Sequence, residues 1–170
     1  MSQIISDRLI RASCDVEEYL NLKDLENRKL YLSSGINALD CEESCNQHLS
    51  RTGHIIKQIF DFDEQEKDLR PDERIPIRLF INSPGGDISE GFFFTVRHRA
   101  LKTPIHTIYI GIWVSMAFWI GITGHKRFAL PHTEFLLHEG KLFTVGSAGS
   151  VQDTVDFDKR YKEEVIKSMS

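Results

Sequence analysis

Ser115 stands in Gly111-Ile-Trp-Val-Ser115-Met-Ala, between an apolar run that reads as a strand and one that reads as a helix. Gly86, in Asn82-Ser-Pro-Gly85-Gly86-Asp, lies twenty-nine residues earlier, and His138, closing Phe135-Leu-Leu-His138, lies twenty-three later. A serine hydroxyl is a weak nucleophile until a neighbouring base takes its proton. Histidine is the usual base near neutral pH, and main-chain N–H groups can hold the oxyanion that forms. Nucleophilic acyl transfer is the chemistry these pieces can perform together.

Each piece also has a plainer reading. Ser115 at the first turn of a helix is, taken alone, most economically an N-cap. The same position sets it beside the Met116 N–H, as in the mechanics of a nucleophile elbow, although Gly-x-x-x-Ser is not Gly-x-Ser-x-Gly. Gly85-Gly86 permits close backbone approach, yet Pro-Gly-Gly alone is usually a turn. Seven histidines are present: His48, His54, His98, His106, His125, His132 and His138. His138 is preferred as base because an apolar strand delivers it to the edge where Ser115 lies; a structural role fits the pattern as well. His132, after Leu130-Pro131, belongs in a turn, and His125, beside Lys126-Arg127, reads as solvated.

These residues need a scaffold that gathers them. Ile75-Pro-Ile-Arg-Leu-Phe-Ile predicts a strand ending in the Gly-Gly corner, and Asp87 or Ser89 caps a helix to about Leu101. A strand over Ile105–Ile110, a helix over Val114–Thr123 and short strands at Lys126–Leu130 and Glu134–His138 follow. Upstream, Lys29-Leu-Tyr-Leu-Ser reads as a strand, and Asp40 caps a helix through His54 and Ile59. Asp61 to Arg74 is charged, contains Pro71 and reads as an exposed loop. Ser150 can cap a last helix, Val151–Met169. Strand and helix alternate as in βαβ units on a parallel sheet, which brings the carboxyl ends of the strands to one edge.

The bulk properties are those of one globular domain. A net charge of −4 and a pI near 6.0, with basic residues scattered, argue against nucleic-acid binding. Cys14, Cys41 and Cys45 cannot all pair, and the first residues contain no signal-like apolar run, so a reducing cytoplasm is expected. Cys41, Cys45 and His48 share a helix face, which reads as core rather than metal site. No metal or cofactor is expected. The apolar stretch Ile105 to Gly124 has the length of a membrane span, but a buried strand followed by a buried helix explains it without a membrane.

Arg78-Leu-Phe-Ile-Asn-Ser-Pro-Gly-Gly-Asp-Ile-Ser-Glu-Gly resembles the Gly-Gly segment of the Clp protease proteolytic subunit family. So do Val114-Ser-Met-Ala-Phe, Lys126-Arg-Phe-Ala-Leu-Pro-His-Thr and Phe135-Leu-Leu-His, in the same order and approximate spacing. The resemblance runs from about Arg28 to Met169. It implies an α/β, crotonase-like fold of repeated βαβ units with a parallel sheet core and a C-terminal handle helix, here Val151–Met169. It implies Ser115 as nucleophile, His138 as general base, the Gly86 and Met116 amides as oxyanion hole, and Gly140–Gly149 as the substrate-binding strand. It also implies self-association into heptameric rings or a double-ring tetradecamer, an AAA+ unfoldase partner, and unfolded polypeptide as substrate. Residues 1–27 would be an N-terminal arm and 28–170 the Clp-like domain, apparently lacking the segment after the handle helix.

The chain departs from the family pattern at defined places. Ile-Trp-Val-Ser-Met-Ala replaces the usual Gln-Ala-Ala-Ser-Met-Gly, making Trp113 and Val114 bulkier, and Glu139-Gly140 replaces Gln-Pro after His138. The family's histidine-orienting aspartate follows the handle helix; Asp153, Asp156 and Asp158 lie within that helix and are not matched to it. A fragment of a longer active protein, a non-proteolytic ring subunit, and a base oriented by another group all fit. A crotonase-type acyl-CoA enzyme shares the implied fold and two-amide oxyanion hole and is the further alternative.

Overall fold

The computed structural model describes residues 16–37, 50–138, 140 and 144–167. Cys14, Cys41, Cys45, His48, the expected cap Asp40 and Glu139 lie outside the described residues. Along the chain come α1 (Val16–Glu26), β1 (Lys29–Leu32), α2 (Arg51–Gln65), β2 (Ile77–Ser83) and α3 (Ile88–Ala100). Then follow β3 (Ile105–Val114), α4 (Met116–Ile122), β4 (Lys126–Ala129), β5 (Glu134–Leu136) and α5 (Ala148–Lys167).

The strands form one sheet in the order β1-β2-β3-β4, with β5 also pairing with β3, and every pairing is parallel. Alternation of side chains along a strand sends Ile77, Leu79, Ile81 and Ser83 of β2 inward and Arg78 and Asn82 outward. Leu30, Leu32, Ile105 and Tyr109 add to the same buried face. Ile55, Ile56 and Ile59 of α2, Phe94 of α3 and Met116, Ala117 and Ile120 of α4 close over it as the core. β3 changes partner along its length: His106–Tyr109 pair with β4, and Ile112–Val114 with β5.

Helix starts follow capping chemistry. Ser50 accepts the Gly53 N–H at the head of α2 and donates to Glu90 of α3 at 2.8 Å. Asp87 caps α3, accepting the Glu90 N–H at 3.0 Å and holding the Ser89 hydroxyl. α5 begins at Ala148, earlier than expected, because Ser147 rather than Ser150 receives the capping N–H.

The expected loop from Asp61 to Arg74 is a helical continuation as far as Gln65. Phe60 and Phe62 pack against the core, so the helix keeps an apolar face through the charged stretch. The loop that remains is pinned by two internal ion pairs. Arg28 meets Glu66 at 2.8 Å, with both side chains about 10% exposed, and Arg74 meets Asp63 at 2.7 Å. The long apolar run Ile105 to Gly124 divides between β3 and α4, and no described helix is long and apolar enough to cross a membrane.

Candidate active site

β3 continues to Val114, beyond the expected end at Ile110, and the chain turns into α4 at Ser115. Ser115 has φ 56° and ψ −121°, a backbone state that costs a non-glycine residue roughly 1–3 kcal/mol and persists only where its surroundings impose it. Its side chain makes no capping hydrogen bond to α4. The helix-cap reading therefore fails, and the hydroxyl is left unspent at the end of the strand.

Two neighbours impose that backbone. The Ser115 N–H donates to the Leu136 carbonyl at 2.8 Å, extending the β3–β5 ladder by one step. On the other side lies the Gly85-Gly86 corner. A Cβ on Gly85 would run into the Val114 carbonyl oxygen and lie 2.9 Å from Ser115 Cβ and 3.0 Å from Met116 N. Gly85 has φ 84°, which glycine adopts freely. The corner and the serine turn are thus in van der Waals contact through the absence of one methyl group.

The corner's own orientation is set from behind. The Gly85 carbonyl accepts the Ile36 N–H at 2.9 Å, and the Asp87 N–H donates to the Ile36 carbonyl at 2.6 Å. The peptide joining Gly85 and Gly86 is trans, so its C=O and N–H point in opposite directions. With the Gly85 carbonyl turned toward Ile36, the Gly86 N–H faces the β3 side, where Ser115 lies. Ser83 completes the clamp by accepting the Gly85 N–H at 3.2 Å and donating to the Ser34 carbonyl at 2.6 Å. Met116 opens α4, where a first-turn N–H has no acceptor within its own helix, and its side chain is buried over Gly91.

His138 follows β5 by two residues and is exposed. The Ser115 N–H···Leu136 bond carries it to the same strand end as the serine. Among the described residues the Ser115 hydroxyl makes no hydrogen bond, so the two side chains share an edge without forming a closed pair. Trp113 is buried beneath the turn, edge-on to Phe118 of α4 and Phe135 of β5 at 5.7 and 5.2 Å, and its Nε1–H has no acceptor among the described residues. In α5, Asp156 accepts from Gln152 at 2.9 Å and Asp158 pairs with Lys162 at 2.8 Å, so both serve their own helix.

Sequence reasoning missed Ile36 and Ser83. Ile36 acts through its main chain, which leaves no trace in residue type, whereas Ser83 sits inside the Asn-Ser-Pro-Gly-Gly corner and carried a readable polar signal.

Comparison with known proteins gives a consistent answer. The Clp protease family profile matches residues 41–170. A protein of Leuconostoc citreum named ATP-dependent Clp protease proteolytic subunit is 38% identical over 80 residues, covering 46% of this chain and 38% of the relative. Proteins of the same name from Streptococcus sanguinis and Deinococcus radiodurans are 34% identical over 104 residues and 32% over 111. Those alignments cover 60% and 64% of this chain and 48% of each relative. The matched stretch thus spans less than half the length of these relatives.

Proposed function

We propose, since the chain belongs to the Clp protease family, that it is the proteolytic subunit of an ATP-dependent serine endopeptidase acting on unfolded polypeptides. Ser115 Oγ attacks the peptide carbonyl carbon while the His138 imidazole takes the hydroxyl proton. The N–H groups of Gly86 and Met116 hold the oxyanion of the tetrahedral intermediate. Collapse of that intermediate breaks the C–N bond, and His138 returns the proton to the departing amine. Water, deprotonated by His138, then attacks the acyl-enzyme and frees Ser115. The observation that carries this reading is the Ser115 backbone at φ 56° with an uncapped hydroxyl against the Gly85-Gly86 corner.

Assembly into rings, fed by an AAA+ unfoldase in the cytoplasm, is part of the proposal. The outer face of the sheet supports a protein partner. Tyr31, Phe80, Ile108 and Phe128 stand in register across four strands, with Tyr31 and Phe128 about half exposed. Parallel sheets are ordinarily covered on both faces. Family membership favours this reading over the acyl-CoA alternative.

A fluorophosphonate probe tests the chemistry. Labelling of Ser115 in the assembled protein, together with peptide cleavage lost in Ser115→Ala, is the expected result. Absence of both in assembled protein means a non-proteolytic ring subunit and overturns the reading.

A further inference from the structure

β2 and β3 run in simple parallel register from Ile77↔Ile105 to Ile81↔Tyr109, but the next pair is Ser83↔Trp113. β2 advances two residues there while β3 advances four, so β3 bulges over residues 110–112. Asn82 is the β2 residue opposite the bulge. Its Oδ1 accepts the Ile112 N–H at 3.1 Å, standing in for the ladder carbonyl that the bulge removes. Gly111 makes room for it: a Cβ there would collide with Asn82 Oδ1 and come 2.9 Å from Cγ.

The position of this bond matters. It joins the strands three residues before Gly85 on β2 and three residues before Ser115 on β3. Across the bulge β3 leaves β4, whose last pair is Tyr109↔Ala129, and from Ile112↔Glu134 it takes up β5, the strand that leads to His138. A bulge re-aims the chain that follows it, and an unpinned bulge lets that direction drift.

We infer that Asn82 is a positioning residue: through the Ile112 N–H and the bulge it sets the distance between the Ser115 turn and the Gly85-Gly86 corner. The inference rests on the reading of Ser115 as nucleophile. Asn82 touches no reacting atom; it acts through β3. Displacement of a reacting group by about 1 Å costs on the order of a hundredfold in rate, so a lost crossbar is expected to show in the chemistry at Ser115 before it shows elsewhere.

The test measures the rate of fluorophosphonate labelling at Ser115 in folded protein. Asn82→Ala is expected to slow labelling about tenfold or more, whereas Asn82→Asp, which keeps an acceptor oxygen in place, stays within about threefold of the parent. Gly111→Ala, which expels the carboxamide from the other side, reproduces Asn82→Ala, and the double variant adds little to either. Parent-like labelling in Asn82→Ala, or a loss in Asn82→Asp as large as in Asn82→Ala, overturns the inference. If the parent takes no label, the nucleophile reading falls, and amide exchange decides the geometric claim separately. The Ser115 N–H should then exchange about tenfold faster in Asn82→Ala, and unchanged exchange overturns it.

Discussion

The main-chain N–H of Ser115 donates to the Leu136 carbonyl at 2.8 Å, which binds the serine turn to the strand that delivers His138 two residues later. The pairs Ile112↔Glu134, Trp113↔Phe135 and Val114↔Leu136 lead directly into this bond. Strained backbone persists only where neighbours over-determine it. For Ser115 they are Leu136 on one side and the methyl-free surface of Gly85 on the other.

Ser115 should therefore hold back stability in favour of geometry. Ser115→Gly relieves the positive φ, offset in part by the greater freedom of glycine in the unfolded chain, for a net gain of about 1 kcal/mol over Ser115→Ala. Ser115→Ala keeps the strained Cβ and should match the parent within about 0.5 kcal/mol. Both lose fluorophosphonate labelling completely. Urea denaturation of the three proteins checks the order, and equal stability of the Gly and Ala variants would contradict the strain assignment.

The two corner glycines should fail differently. Alanine at Gly85 meets the Val114 carbonyl and the Ser115 turn, whereas alanine at Gly86, with φ 149°, meets the main chain of Ile36, a fully buried residue. Each substitution combines an unfavourable φ with a backbone clash and should cost roughly 2–4 kcal/mol. Gly85→Ala displaces the serine turn, so labelling at Ser115 falls even at temperatures where the variant is fully folded. Gly86→Ala pushes apart the Ile36 bridge, and its Ile36 and Asp87 amides should lose protection from hydrogen exchange. A Gly86→Ala variant with parent-like protection would mean the bridge has room to yield.

These contacts explain how far the sequence could be read. Gly85-Gly86, Ser115 and His138 were visible because each follows a strand pattern, and a parallel sheet brings such positions to one edge. The strand was expected to end at Ile110 and the helix to start at Val114 because Gly111 reads as a break, although here it is the small residue that admits the Asn82 carboxamide into a bulge. Ile112, Trp113 and Val114 then belong to the strand, in keeping with their β-branched and aromatic side chains. The segment 61–65 was misread as loop because Asp61, Asp63 and Glu64 look solvent-seeking by type, whereas 66–74 forms turns and loop as expected. Arg74 is buried and Asp63 partly so, and each bonds to the other and to Thr103, 29 residues from Arg74 and 40 from Asp63; no local pattern reports a partner at that distance.

That network yields a pH dependence whose sign can be worked out. Burial by itself would raise the Asp63 carboxyl above its ordinary value of 3.8, but the Thr103 hydroxyl and N–H, the Arg74 guanidinium and the Lys102 N–H together hold it lower. A carboxyl depressed in the folded state contributes stability that is fully present above its unfolded pKa and is lost as pH falls through the folded one. The parent protein should thus lose stability steeply as pH drops below about 4, while Asp63→Asn, with no charge to protonate, shows a shallower decline on a lower plateau. Asp87, held low by the Ser89 hydroxyl and by the Glu90 and Ser89 N–H groups against the cost of burial, leaves a residual slope in both proteins. Urea midpoints across the acid range decide the matter, and parallel curves for parent and variant would show that Asp63 is not the titrating group. Because Asp63 and Arg74 tie the end of α2 to the starts of β2 and β3, the same substitution should loosen the sheet at its base. Ser115 labelling should stay unchanged wherever the variant remains folded, since the corner, the bulge and the Leu136 bond all lie at the far ends of those strands.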